Sequence, residues 1–515
     1  MIRIVTPRNL IMRAMLALLV CFVLLLSGDW QSLAAIPKHE HPVPEKLGNV
    51  RFPTSCSSKV QKRFERAVAL LHSFAYSAAE KEFRDVAAKD PNCAAPHWGM
   101  AMTYFHQLWE PPLAPQNTAR GLAEIEQAKK LSSSDRERGF IEALSLIYAN
   151  TDSLPYQERL NRYTQAMRKL AGRYRDDAEC QIFYALALIA SAPSSDASHA
   201  KQKEAAAILE PLFKKYPQHP GIAHYLIHAC DNAEMARQGL AAAKAYSQIA
   251  PSAPHALHMP SHIYTRLGMW EESIASNLAA QKAAREQVDK GEELHAMDYL
   301  VYAYLQLGRD ADAARVLDEL RAMSGLDGSD FKVGYAASAM PARYAIERRQ
   351  WSDAAQLVSI ERAPPQVLAV TLWTRSVGLA RSGNPAAAQK EIGKLRSSYE
   401  KLRATGDDYW ATQVQVQTNE ALAWVAQAEG KADEALKLMH SAADEEDAIE
   451  KRPVTPGAIV PAREQLGDLL LESNHPREAI KEFECALTMT PQRRGASMGL
   501  AHAREMIASA EPNKN

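Results

Sequence analysis

Five of the chain's 16 histidines fall in the 39 residues from His224 to His262. His224 and His228 are four residues apart, as are His258 and His262, and His255 precedes His258 by three. Residues four apart on an α-helix are offset by about 40°, so each pair shares a face. Neutral imidazole suits zinc, copper, iron or nickel. His295 and Asp298, three apart further on, extend the candidate metal set; Asp231, Tyr302 and Arg343 are candidates for groove or outer positions around it. Seven candidate ligands exceed the four or so that one zinc takes. The pattern therefore asks for two ions, or for one ion with some residues orienting it or touching a substrate. Two metal-free readings fit the same residues. Imidazoles lining a groove can bind an anionic peptide or titrate near neutrality, and histidines can serve structure alone.

The usual reaction signatures are absent. There is no HExxH helix, Gly-rich phosphate loop, GxSxG elbow or dinucleotide fingerprint, so no catalytic residue is assigned and enzyme activity stays open. His97 and His106, nine apart, face opposite sides of their helix and are not a ligand pair.

Amphipathic helices in pairs must position these side chains. The clearest unit opens at Gln465-Leu466-Gly467, turns at Asn474-His475-Pro476, continues through Ala479, Phe483 and Ala486, and stops at Pro491. Ala79, Phe83 and Pro91 follow the same frame, and turn slots recur at Gly268, Gly308, Arg349, Gly383 and Gly430. This resembles the tetratricopeptide repeat. The segment His224 to Asn277 resembles one in a bacterial group of exported proteins of that family, which supplies no reaction. The resemblance implies an all-α, right-handed α-solenoid whose first helices line a concave groove through repeat positions 2, 5, 9 and 12.

In that frame His224, His228 and Asp231 take positions 5, 9 and 12 of one unit. His255, His258 and His262 take 2, 5 and 9 of the next, and His295, Asp298 and Tyr302 take 2, 5 and 9 of a third. Helices packed about 8–10 Å apart let imidazoles from neighbours meet at one ion. Trp98, Met102 and Phe105 form an apolar wall before this zone; Arg343, Trp373, Glu420, Trp424, Glu464 and Asp468 take later groove slots, with Arg343 read as solvated or salt-bridged. A solenoid groove is an interaction surface, so the expected partner is a protein, a peptide or a small ligand.

At 515 residues the chain is too long for one ordinary core, in keeping with a repeat array. With 60 Lys and Arg against 61 Asp and Glu, its net charge of −1 disfavours nucleic-acid binding. Arg3, Arg8 and Arg13, the apolar run Ala14 to Leu26, and Ser32-Leu33-Ala34-Ala35 read as a signal peptide over residues 1–34. The run is short for a membrane span, though an uncleaved anchor is the alternative. Cleavage leaves a net charge of −3 and a periplasmic or secreted chain without a span. Its expected organisation is a Pro-rich lead at 35–57, N-terminal hairpins at 58–200, the His-rich repeats at 201–325, and C-terminal repeats with a capping helix at 326–515. His39-Glu40-His41 lies in the lead. Five cysteines remain, without CxxC spacing. Cys56 and Cys93 flank the first hairpin at one end, so a disulfide or a pair of buried thiols is expected there.

Overall fold

The computed structural model describes residues 45–108 and 113–510. The leader at 1–34 and the His39-Glu40-His41 cluster lie outside them. Lys46–Asn515 form one compact unit. The described residues are helical hairpins in sequence order, without a strand beyond one isolated bridge between Cys93 and Ser132. None of their helices is long and apolar enough to cross a membrane.

The turn slots explain how the hairpins close. Gly268, Gly308, Arg349, Gly383, Gly430 and Asn474 all have positive φ, between 55° and 78°, the left-handed step that ends a helix and reverses the chain. At Gly268 a side chain is also sterically excluded, since a Cβ would stand 2.4 Å from the Pro491 carbonyl oxygen. Close approach between paired helices rests on small residues: a Cβ on Gly467 would lie 2.6 Å from the Phe483 ring.

Three hairpins carry the histidines. The first pairs Pro220–Ala229 with Ala236–Ile249. In the second, Pro260 interrupts the leading helix into Pro254–His258 and Pro260–Arg266 before Trp270–Glu286 returns. Proline removes a backbone donor, but Met259 keeps helical angles (φ −53°, ψ −34°), so His258 and His262 still share a face. The third begins with Lys290–Gln306, buried on every side from Glu292 to Gln306, which places it in the core.

Hairpins distant in sequence are tied together. Ser58–His72 packs against Pro220–Ala229, and Arg493 donates to Glu464, Glu347 and the Tyr302 hydroxyl. The connection 448–461 is pinned at several points. The Glu450 amide donates to the Ser194 carbonyl at 2.7 Å, and Lys451 Nζ reaches Asp231 Oδ2 at 2.9 Å. Arg343 donates to the carbonyls of Gly457 and Ala458. Arg343, Trp373, Glu420, Trp424 and Glu464, assigned groove slots by the repeat frame, are therefore buried, as are Trp98, Met102 and Phe105. Hairpin periodicity specifies nearest-neighbour packing; it carries no signal for this return of the chain across distant hairpins. Cys56 and Cys93 are joined by a disulfide, with Cα atoms 5.1 Å apart.

Candidate metal centre

Six histidines assemble into two triads. His224, His228 and His255 bring one ring nitrogen each within 4.8 Å of one another, and so do His258, His262 and His295. All six are buried, His228 the most exposed at 7%. In the repeat frame each triad takes positions 5 and 9 of one hairpin and position 2 of the next. His258 and His262 lie 34 residues beyond His224 and His228, so the second triad repeats the first.

Within the triads the Nε2 atoms converge. His224 Nε2 lies 3.0 Å from His228 Nε2 and 3.2 Å from His255 Nε2, and His258 Nε2 lies 3.0 Å from His262 Nε2. Four of the Nδ1 atoms are turned outward onto acceptors. His224 Nδ1 donates to the His72 carbonyl at 2.6 Å, and His255 Nδ1 to Glu292 Oε2 at 3.2 Å. His258 Nδ1 donates to Asn277 Oδ1 at 2.6 Å, and His262 Nδ1 to Asp231 Oδ2 at 2.8 Å. The Asn277 amide nitrogen is spent on the Ser273 carbonyl, which sets Oδ1 toward His258. A carbonyl or carboxylate can only accept, so these contacts place the proton on Nδ1 and make Nε2 the lone-pair nitrogen of each of these rings. Outward acceptors of this kind orient metal-binding histidines.

Burial disfavours imidazolium. It holds His224, His228, His258 and His295 well below their ordinary value, reinforced by neighbouring imidazoles, and takes His262 down to about 4 despite Asp231. The supporting carboxylates are ionised. Burial would raise Asp231 and Glu292, but Lys451, Arg266 and His262 outweigh it at the first, and Lys332 and His255 at the second.

One aromatic ring backs each triad. Phe74 lies 4.4, 5.8 and 5.4 Å, centroid to centroid, from His224, His228 and His255. Tyr299 lies 4.7, 5.1 and 5.4 Å from His258, His262 and His295, with its hydroxyl 3.3 Å from His262 Nε2. A cleft of about 720 Å³ reaches His228 and Asp231, and a second of about 390 Å³ reaches His255 and Glu292.

The remaining candidates stand apart. Asp298 is outside both triads, its Oδ1 accepting from Arg343 Nε at 2.9 Å. Arg343 is fully buried in that ion pair. Tyr302 meets Arg493 rather than an imidazole. Asp231 supports His262 from behind. Sequence spacing misses His72, Asn277, Glu292, Tyr299 and Lys451. Of these only Glu292, three residues before His295, stood in a readable position; the His72 contact spans 152 residues and Lys451 reaches back 220. A further buried group, His72 and His219 on the two oxygens of Glu179 at 3.0 and 2.9 Å, lies behind the His72 carbonyl.

No protein-family model matches this chain, and no curated protein matches it. Solved structures similar to it include the P58(IPK) TPR domain, at 14% identity and a TM-score of 0.21, covering 88% of this chain and all of that one. Another is Naa15/Naa10 bound to HypK-THB, at 13% identity and a TM-score of 0.25, covering 88% of this chain and 68% of that one. Both likenesses are too low to add to what the hairpins themselves show.

Proposed function

We propose that this is an exported, tetratricopeptide-type repeat protein that holds transition-metal ions in its two imidazole triads and presents its arch to a protein or small-ligand partner. The observation that carries the metal is the meeting of His258 Nε2 and His262 Nε2 at 3.0 Å with both Nδ1 protons committed elsewhere. Facing lone pairs repel, and a cation between them turns repulsion into coordination. Export is supported by the leader at 1–34 and by the Cys56–Cys93 bond, since disulfides persist in oxidising compartments.

The test is elemental analysis of mature, untagged protein from an exporting host, beside a His258→Ala/His262→Ala variant. Near-stoichiometric metal that falls by about half in the folded variant is the expected result. Wild-type protein that stays metal-free after reconstitution overturns the reading and leaves a metal-free interaction scaffold. The cleft at His228 favours a second reading, a metalloenzyme whose ion meets substrate there. Loss of a hydrolytic or oxidative activity on metal removal would select it.

A further inference from the structure

We infer that the two triads form one coupled dinuclear copper site that takes up dioxygen between its ions. This rests on the metal-binding reading above and deepens it.

The first support is distance. Across the divide His228 and His262 lie 6.0 Å apart and His255 and His258 6.1 Å, ring to ring. Inside the second triad His262 and His295 are 6.2 Å apart. Other ring pairs within the triads lie 4.2 to 5.0 Å apart, so the triads are distinct but adjoin each other with no residue between these rings. Two ions held in them would be neighbours, the arrangement that two-metal sites use.

The second is the donor set. Each ion would meet three imidazoles, and the carboxylates nearby are directed elsewhere. Asp231 and Glu292 face Nδ1 atoms, and Asp298 is held by Arg343. Hard cations that need oxygen ligands, and iron held by two histidines and a carboxylate, are poorly served; imidazole suits copper.

The third is charge. Asp231 and Glu450 are matched by Arg266 and Lys451, and Glu292 is matched by Lys332. The shell is thus formally neutral before any ion enters. Buried net charge is costly, and two monovalent ions add half the charge of two divalent ones. Copper(I) is the redox-active ion that meets both conditions.

With the pair reduced, each copper(I) gives one electron to dioxygen, leaving two copper(II) ions and one bound peroxide dianion. No bond to the protein forms or breaks and no proton is required; release of dioxygen reverses the transfer. The clefts at His228 and His255 supply the way in.

Metal-free mature chain is titrated with copper(I) under argon and then exposed to dioxygen. Oxygen uptake, near-ultraviolet absorption and electron paramagnetic resonance are followed. The expected result is about two copper ions per chain, about one dioxygen per two coppers, a new intense absorption, and little resonance because bridged copper(II) spins pair. A His228→Gln variant and a His262→Gln variant, each checked for folding by circular dichroism, should lose at least tenfold of the uptake. Two bound coppers that give the full signal of isolated copper(II), or no uptake, overturn the coupled site while leaving metal binding intact. Two zinc ions bound in preference to copper do the same. Absence of every metal overturns both readings. The wild-type stoichiometry and resonance decide the matter even if a variant does not fold.

Discussion

His262 and Asp231 are joined at 2.8 Å, Nδ1 to Oδ2, across two successive hairpins, and the same carboxylate carries Lys451 Nζ and Arg266 Nε at 2.9 Å each. One buried carboxylate thus sets an imidazole of the second triad, anchors the returning connection and borders the cleft at His228.

Asp231→Asn should free the His262 ring and loosen segment 448–461 together. Loss of an outer hydrogen bond to a metal-binding histidine weakens metal by about 10–100-fold, read by competition against a coloured chelator. Lys451→Ala should instead leave affinity within about threefold while speeding metal exchange. An Asp231→Asn protein with wild-type affinity would remove this carboxylate from the support of the site.

Buried neutral histidines make the metal-free protein acid-sensitive. His262 takes a proton near 6.5 when unfolded and only at about 4 when folded. Its folded value is depressed, so stability present above pH 6.5 declines as pH falls toward 4, by about 1.4 kcal/mol per pH unit for each such group. His224, His228, His258 and His295 shift in the same direction. Thermal melts of metal-free protein should show a steep loss of Tm below pH 6.5; a flat profile from pH 7 to 5 would contradict the buried cage.

Arg343 makes four hydrogen bonds from a fully buried position, one to Asp298 and three to segment 455–458. Arg343→Met strands the Asp298 charge and releases the segment. The expected cost is about 3–5 kcal/mol, measured by urea unfolding. Asp298→Asn/Arg343→Met should recover part of it.

Thiol titration in denaturant reports both the disulfide and the leader. Cys180, Cys230 and Cys485 are free thiols, so a processed chain should show three before reduction and five after. Cys21 would add one to each count if the leader were retained. Replacing Cys56 and Cys93 by serine should cost about 2–4 kcal/mol.

Local rules made the hairpins legible. Gly268, Gly308 and Asn474 signal reversals because few residues tolerate positive φ, and helical spacing alone puts His258 and His262 on one face. The grouping into triads was half legible: the frame aligns positions 5 and 9, whereas the ring completing each triad comes from position 2 of the following hairpin. Nothing local marks Lys451, which meets Asp231 only because the chain returns after 220 residues. Asp298 looks like a ligand by position, and only the fold shows that Arg343 holds it.

Because the second triad restates the first one repeat later, the cage behaves as a copied module whose length is set by where the copying stops. It stops at the third hairpin, where positions 5 and 9 hold Asp298 and Tyr302 instead of histidines, and these engage Arg343 and Arg493. Asp298, in its ion pair, and Tyr302, accepting from Arg493, thus end the run of imidazoles, and the extent of the histidine cluster is written as a count of repeats.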